Sequence, residues 1–296
     1  MEQDVGLIGF GEAGATFARA GRWAASARVF DCKTDSAAER AAMLAAYAEA
    51  GVSPARFIED ALVSVPIVLS LVTADQVLAV ARMAADHIPA GALYCDCNSV
   101  APQTKREAAQ MVEAAGAHYV DVAVMAPVNP ARMAVPLLLS GGQADAAAGV
   151  LAGLGFTHVR VVGDTVGRAS AIKMIRSVMV KGLEALTAEC VLAAAAAGVL
   201  DEVLASLDAS ERPKPWAERA DYNLDRMLVH GLRRAAEMEE VVRTLDDIGT
   251  GAEMTRGTVW RQRCIGALGI ATPPDGLAAK IGAINDSKTD RKADAA

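Results

Sequence analysis

The stretch Val5-Gly6-Leu7-Ile8-Gly9-Phe10-Gly11-Glu12-Ala13-Gly14 decides the fold. Its first half is apolar and reads as a buried strand. Its second half fits G-x-G-x-x-G and runs into a helix at Glu12, the context that gives this short motif meaning. Each glycine then has a separate task. Gly9 permits a tight turn, Gly11 lets the backbone approach a pyrophosphate without a Cβ in the way, and Gly14 lets the helix pack against the strand. Phe10, Glu12 and Ala13 complete the loop, and the free amides at the helix start face an anion. The stretch reads as the opening of a dinucleotide-binding βαβ unit.

Working outward, Ala27–Asp31 is a second short strand that ends in an acid about twenty residues beyond the loop. A carboxylate there accepts hydrogen bonds from ribose hydroxyls and repels a 2′-phosphate, so NAD is the expected cofactor. Lys33 beside it keeps NADP possible. Further apolar strands are expected at Ile67–Val72, Leu93–Asp96, His118–Val124, Leu137–Ser140 and Thr157–Val162. Helices are expected at Ser36–Ala50, with Ser36 as its cap and Gly51 as its stop, at Asp75–Asp86 and at Gln103–Ala115. This alternation predicts a parallel, doubly wound sheet. After Gly163 the pattern changes. Val166–Gly198 is one long helical stretch, only helical segments follow, and the polar Asp286–Ala296 is expected to fray. The chain is therefore read as an α/β N-terminal Rossmann domain with a parallel doubly wound sheet (1–163), followed by an all-α C-terminal domain (164–296) for substrate and dimer contacts.

Composition bounds the function. The 296 residues are 53% hydrophobic but only 4% aromatic, so the core is built mostly from aliphatic side chains. The net charge of −7 argues against nucleic acid or an anionic membrane surface as partner. No signal peptide or membrane span is expected, since Glu184, Thr187 and Glu189 interrupt the most apolar stretch, Leu183–Leu200. Cys32, Cys95, Cys97, Cys190 and Cys264 are an odd, scattered set that fits reduced thiols in the cytoplasm. Cys95 and Cys97 fall on one side of a strand and read as packing rather than metal ligands.

Three further motifs, with the glycine loop, resemble the β-hydroxyacid dehydrogenases, the group that includes 6-phosphogluconate and 3-hydroxyisobutyrate dehydrogenases, and within it a 6-phosphogluconate dehydrogenase-like branch with a distinct C-terminal domain. Ser70-Leu71-Val72-Thr73 stands at the family's cofactor-lining Met-Leu-Pro loop. Asp96-Cys97-Asn98-Ser99 is similar to its Gly-Asn-Ser stretch, which implies that Asn98 bridges cofactor and substrate. Asn98 and Ser99 are also suited to capping the following helix. Gly167-Arg168-Ala169-Ser170-Ala171-Ile172-Lys173 resembles the family's G-x-G-x-x-x-K helix, which implies Lys173 as the catalytic lysine. The chemistry agrees, because hydride leaves a carbinol carbon only as its hydroxyl proton is removed, and a desolvated amine can take that proton. Lys173, Arg176, Ser177 and Lys181 recur at helical spacing as one polar stripe, expected to face the nicotinamide from the opposite domain.

The substrate end departs from the family. Its Asp-Ala-Pro-Val-Ser-Gly-Gly loop is replaced by Asp121-Val122-Ala123-Val124-Met125-Ala126-Pro127, so Val124 and Met125 make a more apolar floor, and Pro127 lacks an N–H. Arg176 and Ser177 stand where the family has an Asn, and a guanidinium there can pair with a carboxylate or phosphate. Val180 replaces the Glu of the decarboxylating enzymes. His230 falls where the family has a Lys-Asp pair and is a candidate substrate contact. The resulting expectation is an NAD(P)-dependent dehydrogenase acting on the CH–OH of a small-molecule substrate, a hydroxy acid or related hydroxy-carbonyl compound. Alternatives are an imine reductase of the same fold or a non-catalytic NAD(P)-binding protein. A C2 homodimer is expected. If Asp31 selects the cofactor, kcat/KM with NAD exceeds that with NADP; a clear NADP preference refutes the Asp31 argument.

Overall fold

The computed structural model describes residues 4–21, 23–210 and 214–293. By its internal contacts the chain divides into two compact units, Met1–Val178 and Met179–Ala296.

The first unit carries eight strands: β1 Val5–Ile8, β2 Ala27–Phe30, β3 Ser53–Pro54, β4 Ile67–Ser70, β5 Leu93–Asp96, β6 His118–Val124, β7 Leu137–Ser140 and β8 Val159–Gly163. They form one sheet in the order β3-β2-β1-β4-β5-β6-β7-β8. Every neighbouring pair is parallel except β6–β7, which is antiparallel. The sheet is the expected parallel, doubly wound one, with a single antiparallel step at β6–β7. A parallel return needs a crossover, usually a helix, and the 125–136 connection has no α-helix.

Helices α1 Glu12–Ala20, α2 Arg40–Ala50 and α6 Ala144–Gly153 cover one face of the sheet, and α3 Ile58–Leu62, α4 Val77–Ala85 and α5 Pro102–Ala114 the other. Side chains alternate between faces along each strand. Leu7, Leu69, Cys95 and Val120 join the first core, whereas Ile8, Val68, Tyr94 and Tyr119 join the second. Both faces are buried, which is why these strands read as continuous apolar runs. β3, α3 and α6 were not legible in the sequence; α6 is nearly all Ala, Gly, Val and Leu, with no periodic contrast. The helix expected from Ser36 begins only at Arg40. Residues 32–35 instead make a tight 3₁₀ turn capped by the Asp31 side chain, and Gly51 ends α2 with φ +72°.

One row of residues crosses the C-terminal edge of the sheet in register. Ile8 pairs with Phe30 and Ser70, Ser70 with Asp96, Asp96 with Asp121, and Asp121 with Ser140. Ser70, Asp96, Asp121 and Ser140 are all fully buried. A buried polar row must be hydrogen-bonded or paired within the protein.

Helix α7, Arg168–Ala196, begins in the first unit and ends in the second, so the division falls inside a helix. The second unit continues with α8 Leu200–Ser210, α9 Trp216–Ile248, α10 Glu253–Gly266 and α11 Leu277–Ala293. No strand follows Gly163 among the described residues. α9 and α10 meet at backbone contact: a Cβ on Gly231 would lie 2.5 Å from the Gln262 carbonyl and 2.8 Å from Gly266. The polar tail is helical to Ala293 rather than frayed from Asp286, and 294–296 lie outside the described residues. Lys280 on α11 is buried and pairs with Asp221 of α9 at 2.8 Å.

Glu189 on α7 caps α10. Its carboxylate accepts the Met254 and Thr255 amides at 2.9 and 3.0 Å and the Thr255 hydroxyl at 2.6 Å. Burial works to raise its pKa. The Thr255 hydroxyl, the two amides and nearby Arg256 outweigh that and hold it below its usual 4.5. Its stabilising contribution is therefore complete above the unfolded-state value and is lost as pH falls through the lower folded one. Acid titration of thermal stability should show this loss in the native chain, and Glu189→Gln should flatten that part of the profile while lowering the melting temperature at neutral pH.

Candidate functional site

The strand order reverses between β1 and β4, and ligands of open α/β sheets bind at the carboxyl ends of strands at such a point. The glycine loop follows β1, and Leu71–Thr73 follows β4. Gly9 has φ +91°, and a Cβ there would sit 2.3 Å from the Leu71 carbonyl oxygen. A Cβ on Gly14 would sit 2.5 Å from the Gly9 carbonyl oxygen. A Cβ on Gly11 would meet nothing within 4 Å. The first and third glycines are thus required by the protein's own packing. The second opens onto empty space, which is what a backbone reserved for a ligand needs.

That space is a groove of about 390 Å³ lined by Gly9, Gly11, Phe30, Asp31, Lys33 and Thr73, among others. A second cleft of about 360 Å³ adjoins it, and Glu12, Ala13, Leu71 and Val72 line both. Asn98, Ser99, Val124, Ala126, Pro127, Val128 and Lys173 line the second cleft. The two spaces form one continuous trough that meets at the glycine loop and the loop after β4. A dinucleotide has this shape, with two nucleoside ends joined by a pyrophosphate.

Asp31 lies at the first end and is nearly buried. Its Oδ2 accepts the Phe10 amide at 2.7 Å and its Oδ1 the Lys33 amide at 2.9 Å. The carboxylate therefore ties the glycine loop to the β2 turn. Each oxygen keeps a second lone pair that can meet a ribose hydroxyl.

Asn98 joins the two loops at the other end. Its Oδ1 accepts the Val72 amide at 2.6 Å, and its Nδ2 donates to Ser70 Oγ at 3.0 Å and Asp96 Oδ1 at 2.6 Å. It does not cap α5. That helix starts at Pro102, and its N-cap Ala101 makes no side-chain hydrogen bond, which corrects the capping expectation for Asn98 and Ser99. Ser99 instead accepts from Lys173: Nζ lies 2.5 Å from Ser99 Oγ. Lys173, expected on the far domain, belongs to the first unit.

The remaining expected residues scatter. Val124 lines the cleft, but Met125 packs with Ala123, Leu138 and Ala169. Ser177 donates its hydroxyl back to the Lys173 carbonyl at 2.9 Å, an interaction internal to α7. Arg176 is exposed and is not among the residues that line the cleft. His230 is half-buried on α9 in the second unit. Cys97 lines the cleft, yet burial pushes its thiol up to about 12. No cluster of potential metal ligands exists among the described residues.

Sequence reading missed Lys105. It is fully buried; its Nζ donates to the Asp96 carbonyl at 2.6 Å and lies 2.9 Å from Asp96 Oδ1 and 3.5 Å from Asp121 Oδ1. Tyr119 donates to Asp96 Oδ2, and burial together with that carboxylate drives the Tyr119 phenol well above its usual range. Asp121 Oδ2 accepts the Gly167 and Ser170 amides at 3.1 and 2.9 Å, and the Ser140 hydroxyl at 3.2 Å. Asp121 is thus the cap of α7. A signal for Lys105 was present: Lys105, Ala108, Ala109 and Val112 form one buried face of α5.

Residues 4–162 match the family model for the NAD binding domain of 6-phosphogluconate dehydrogenase. The chain belongs to the 6-phosphogluconate dehydrogenase-like family. The first unit is its NAD(P)-binding domain, and the fold is hydroxyacid dehydrogenase-like. Residues 194–265 match a domain of unknown function (DUF1932). A conserved hypothetical protein from Sinorhizobium meliloti 1021 is 35% identical over 97% of both chains, with a TM-score of 0.61. A conserved protein of unknown function described as structurally similar to 3-hydroxyacid dehydrogenases is 30% identical over 89% of this chain and 97% of its own, with a TM-score of 0.57. An imine reductase from Streptomyces aurantiacus shares the fold at 20% identity over 95% of this chain and 99% of its own, with a TM-score of 0.68.

The glycine geometry separates stability from binding. Gly11→Val should keep the native melting temperature and weaken NADH binding by at least about tenfold, because its side chain enters only the trough. Gly9→Ala should lower the melting temperature by several degrees, because Leu71 must move. Fluorescence titration and thermal melts of both variants check the pair. Equal loss of stability in both would remove the assignment of Gly11 to the ligand.

Proposed function

We propose that this protein is an NAD(P)-dependent oxidoreductase that moves hydride between the nicotinamide and the hydroxyl-bearing carbon of a hydroxy acid or related hydroxy-carbonyl compound, with Lys173 as general acid/base. The contact between Lys173 Nζ and Ser99 Oγ carries this reading, because it sets an amine on the wall of the trough that runs from the glycine loop. When bound, the nicotinamide accepts or supplies the hydride. Lys173 takes the substrate hydroxyl proton during oxidation and returns it during reduction. The Ser99 hydroxyl steadies the amine and, as both donor and acceptor, can pass a hydrogen bond to the substrate oxygen. Asn98 holds the Val72 amide and Ser70 in place and fixes this wall. Val124, Ala126, Pro127 and Val128 add apolar surface to the same cleft.

The charges that line the cleft in this unit are Lys173 and Glu12. Arg176 remains a candidate for anchoring a carboxylate. The apolar lining supports a second reading, an imine reductase, in which Lys173 would protonate nitrogen rather than oxygen. Retention of Lys173 weighs against a non-catalytic NAD(P)-binding protein. The five free cysteines support a reducing, cytoplasmic setting. No described helix is long and apolar enough to cross a membrane. We also propose a homodimer. Ile175, Val178, Leu183 and Leu192 on α7 and Trp260 on α10 are exposed, and large apolar side chains such as these can be covered by a second copy.

With NAD(P)H or NAD(P) and a panel of hydroxy acids, sugar acids and cyclic imines, turnover should appear on the hydroxy or keto compounds. Lys173→Ala should lower kcat by about 10²- to 10⁴-fold and leave NADH binding near native. Unchanged turnover in that variant refutes the role of Lys173, and turnover on imines alone selects the second reading. Light scattering should give twice the monomer mass; a stable monomer refutes the dimer.

A further inference from the structure

Lys105 takes no part in the chemistry assigned above, yet it is fully buried between two fully buried carboxylates. Its Nζ hydrogen-bonds the Asp96 carbonyl, while Asp121 Oδ1, 3.5 Å away and with no hydrogen bond of its own, meets it by charge alone; these two acids carry Asn98 and the start of α7. On one side Lys105 Nζ meets Asp96, whose Oδ1 also accepts the Asn98 amide at 2.9 Å and Asn98 Nδ2 at 2.6 Å. Asn98 in turn holds the Val72 amide. On the other side Nζ faces Asp121 Oδ1, and Asp121 Oδ2 caps the amides of Gly167 and Ser170. Ser170 precedes Lys173 by three residues, one turn of the same helix, so both lie on neighbouring positions of one face. Ser140 closes the network by donating to Asp121 and accepting from the Ala169 amide at 3.0 Å.

We propose that Lys105 is a positioning residue: by joining Asp96 to Asp121 it fixes the start of α7 against the Asn98 wall and so holds the Lys173 amine against Ser99. The inference rests on Lys173 being the acid/base. Two physical points support it. The Coulomb attraction of one central cation for two carboxylates acts at low dielectric, where a small displacement changes the energy steeply. Asp121 also meets the positive end of the α7 dipole, so the helix start is held by charge as well as by hydrogen bonds. Without the ammonium, Asp96 and Asp121, adjacent in register, would be two buried like charges with no counter-ion.

Lys105→Met alone leaves two buried carboxylates unbalanced and is the variant most exposed to misfolding. The informative comparison is Lys105→Met/Asp121→Asn against the native chain, and Asp121→Asn alone, which breaks the same link, should show a loss of similar size. The double variant keeps the native net charge of the triad, and the carboxamide introduced in place of the Asp121 carboxylate retains an oxygen for the α7 amides. Three quantities are read in full-length protein: kcat and KM on an active member of the substrate panel, the NADH dissociation constant, and the pH dependence of Lys173 acylation by acetic anhydride, quantified by mass spectrometry. Relative to the native chain, the double variant should bind NADH within about threefold and lose kcat by about tenfold or more with little change in KM. Its Lys173 acylation midpoint should move by about half a pH unit or more, as the amine leaves its fixed contact. A folded double variant with the native kcat and acylation midpoint overturns the proposal. If no compound turns over even with the native chain, the oxidoreductase reading fails, and the acylation midpoint alone decides whether Lys105 positions Lys173.

Discussion

One buried ammonium, Lys105, lies where the polar contacts of the first unit converge. It lies on the apolar face of α5 and balances Asp96 at the end of β5 and Asp121 in β6. Asp96 organises Asn98 and through it the Val72 amide; Asp121 starts α7. Breaking one partner of such a buried set typically costs about 3–5 kcal/mol, because the remaining charges are stranded. That is a large share of the stability of an ordinary domain. The glycine loop, by contrast, is held by contacts of shape: Gly9 under Leu71 and Gly14 under Gly9. The trough has one end fixed by close backbone packing and the other by charge.

This division explains why the chain keeps a buried polar row across an otherwise apolar sheet. Ser70, Asp96, Asp121 and Ser140 sit side by side at the edge where the loops emerge. An all-apolar edge would leave the loop amides and the start of α7 without acceptors. The polar row supplies them from inside the sheet, and the loops then keep their outward surface for ligands. Asp31 repeats the device at the end of β2, where one carboxylate accepts two backbone amides from two different turns.

Much of the first unit was legible because its signals are local. The glycine spacing, the apolar strands and the acid at the end of β2 each reflect constraints that act within a few residues. Expectations failed where the constraint came from elsewhere in the fold. Ser36 is a good cap by type, but Asp31 captures the turn before it and delays α2 to Arg40. Asn98 is a good cap by type, but Ser70 and Asp96 claim its amide group, and α5 begins at a proline without it. Met125 follows the expected loop in sequence but turns toward Ala169 and Leu138. The β6–β7 connection looked like any other link between strands, yet without a helix it could only reverse the chain.

By itself the sequence determined the dinucleotide loop, the two classes of secondary structure and the candidate lysine. Each is encoded by residue type at fixed spacing, and spacing along the chain survives folding. Only the tertiary structure decided that Lys173 stands against Ser99, that Ser177 turns inward to its own helix, and that Lys105 is a buried counter-ion rather than one more surface charge on α5. The physical reason is the same in each case. Long polar side chains choose partners by distance in space, and the partners of Lys105 and Lys173 come from strands and loops that only the folded sheet brings together.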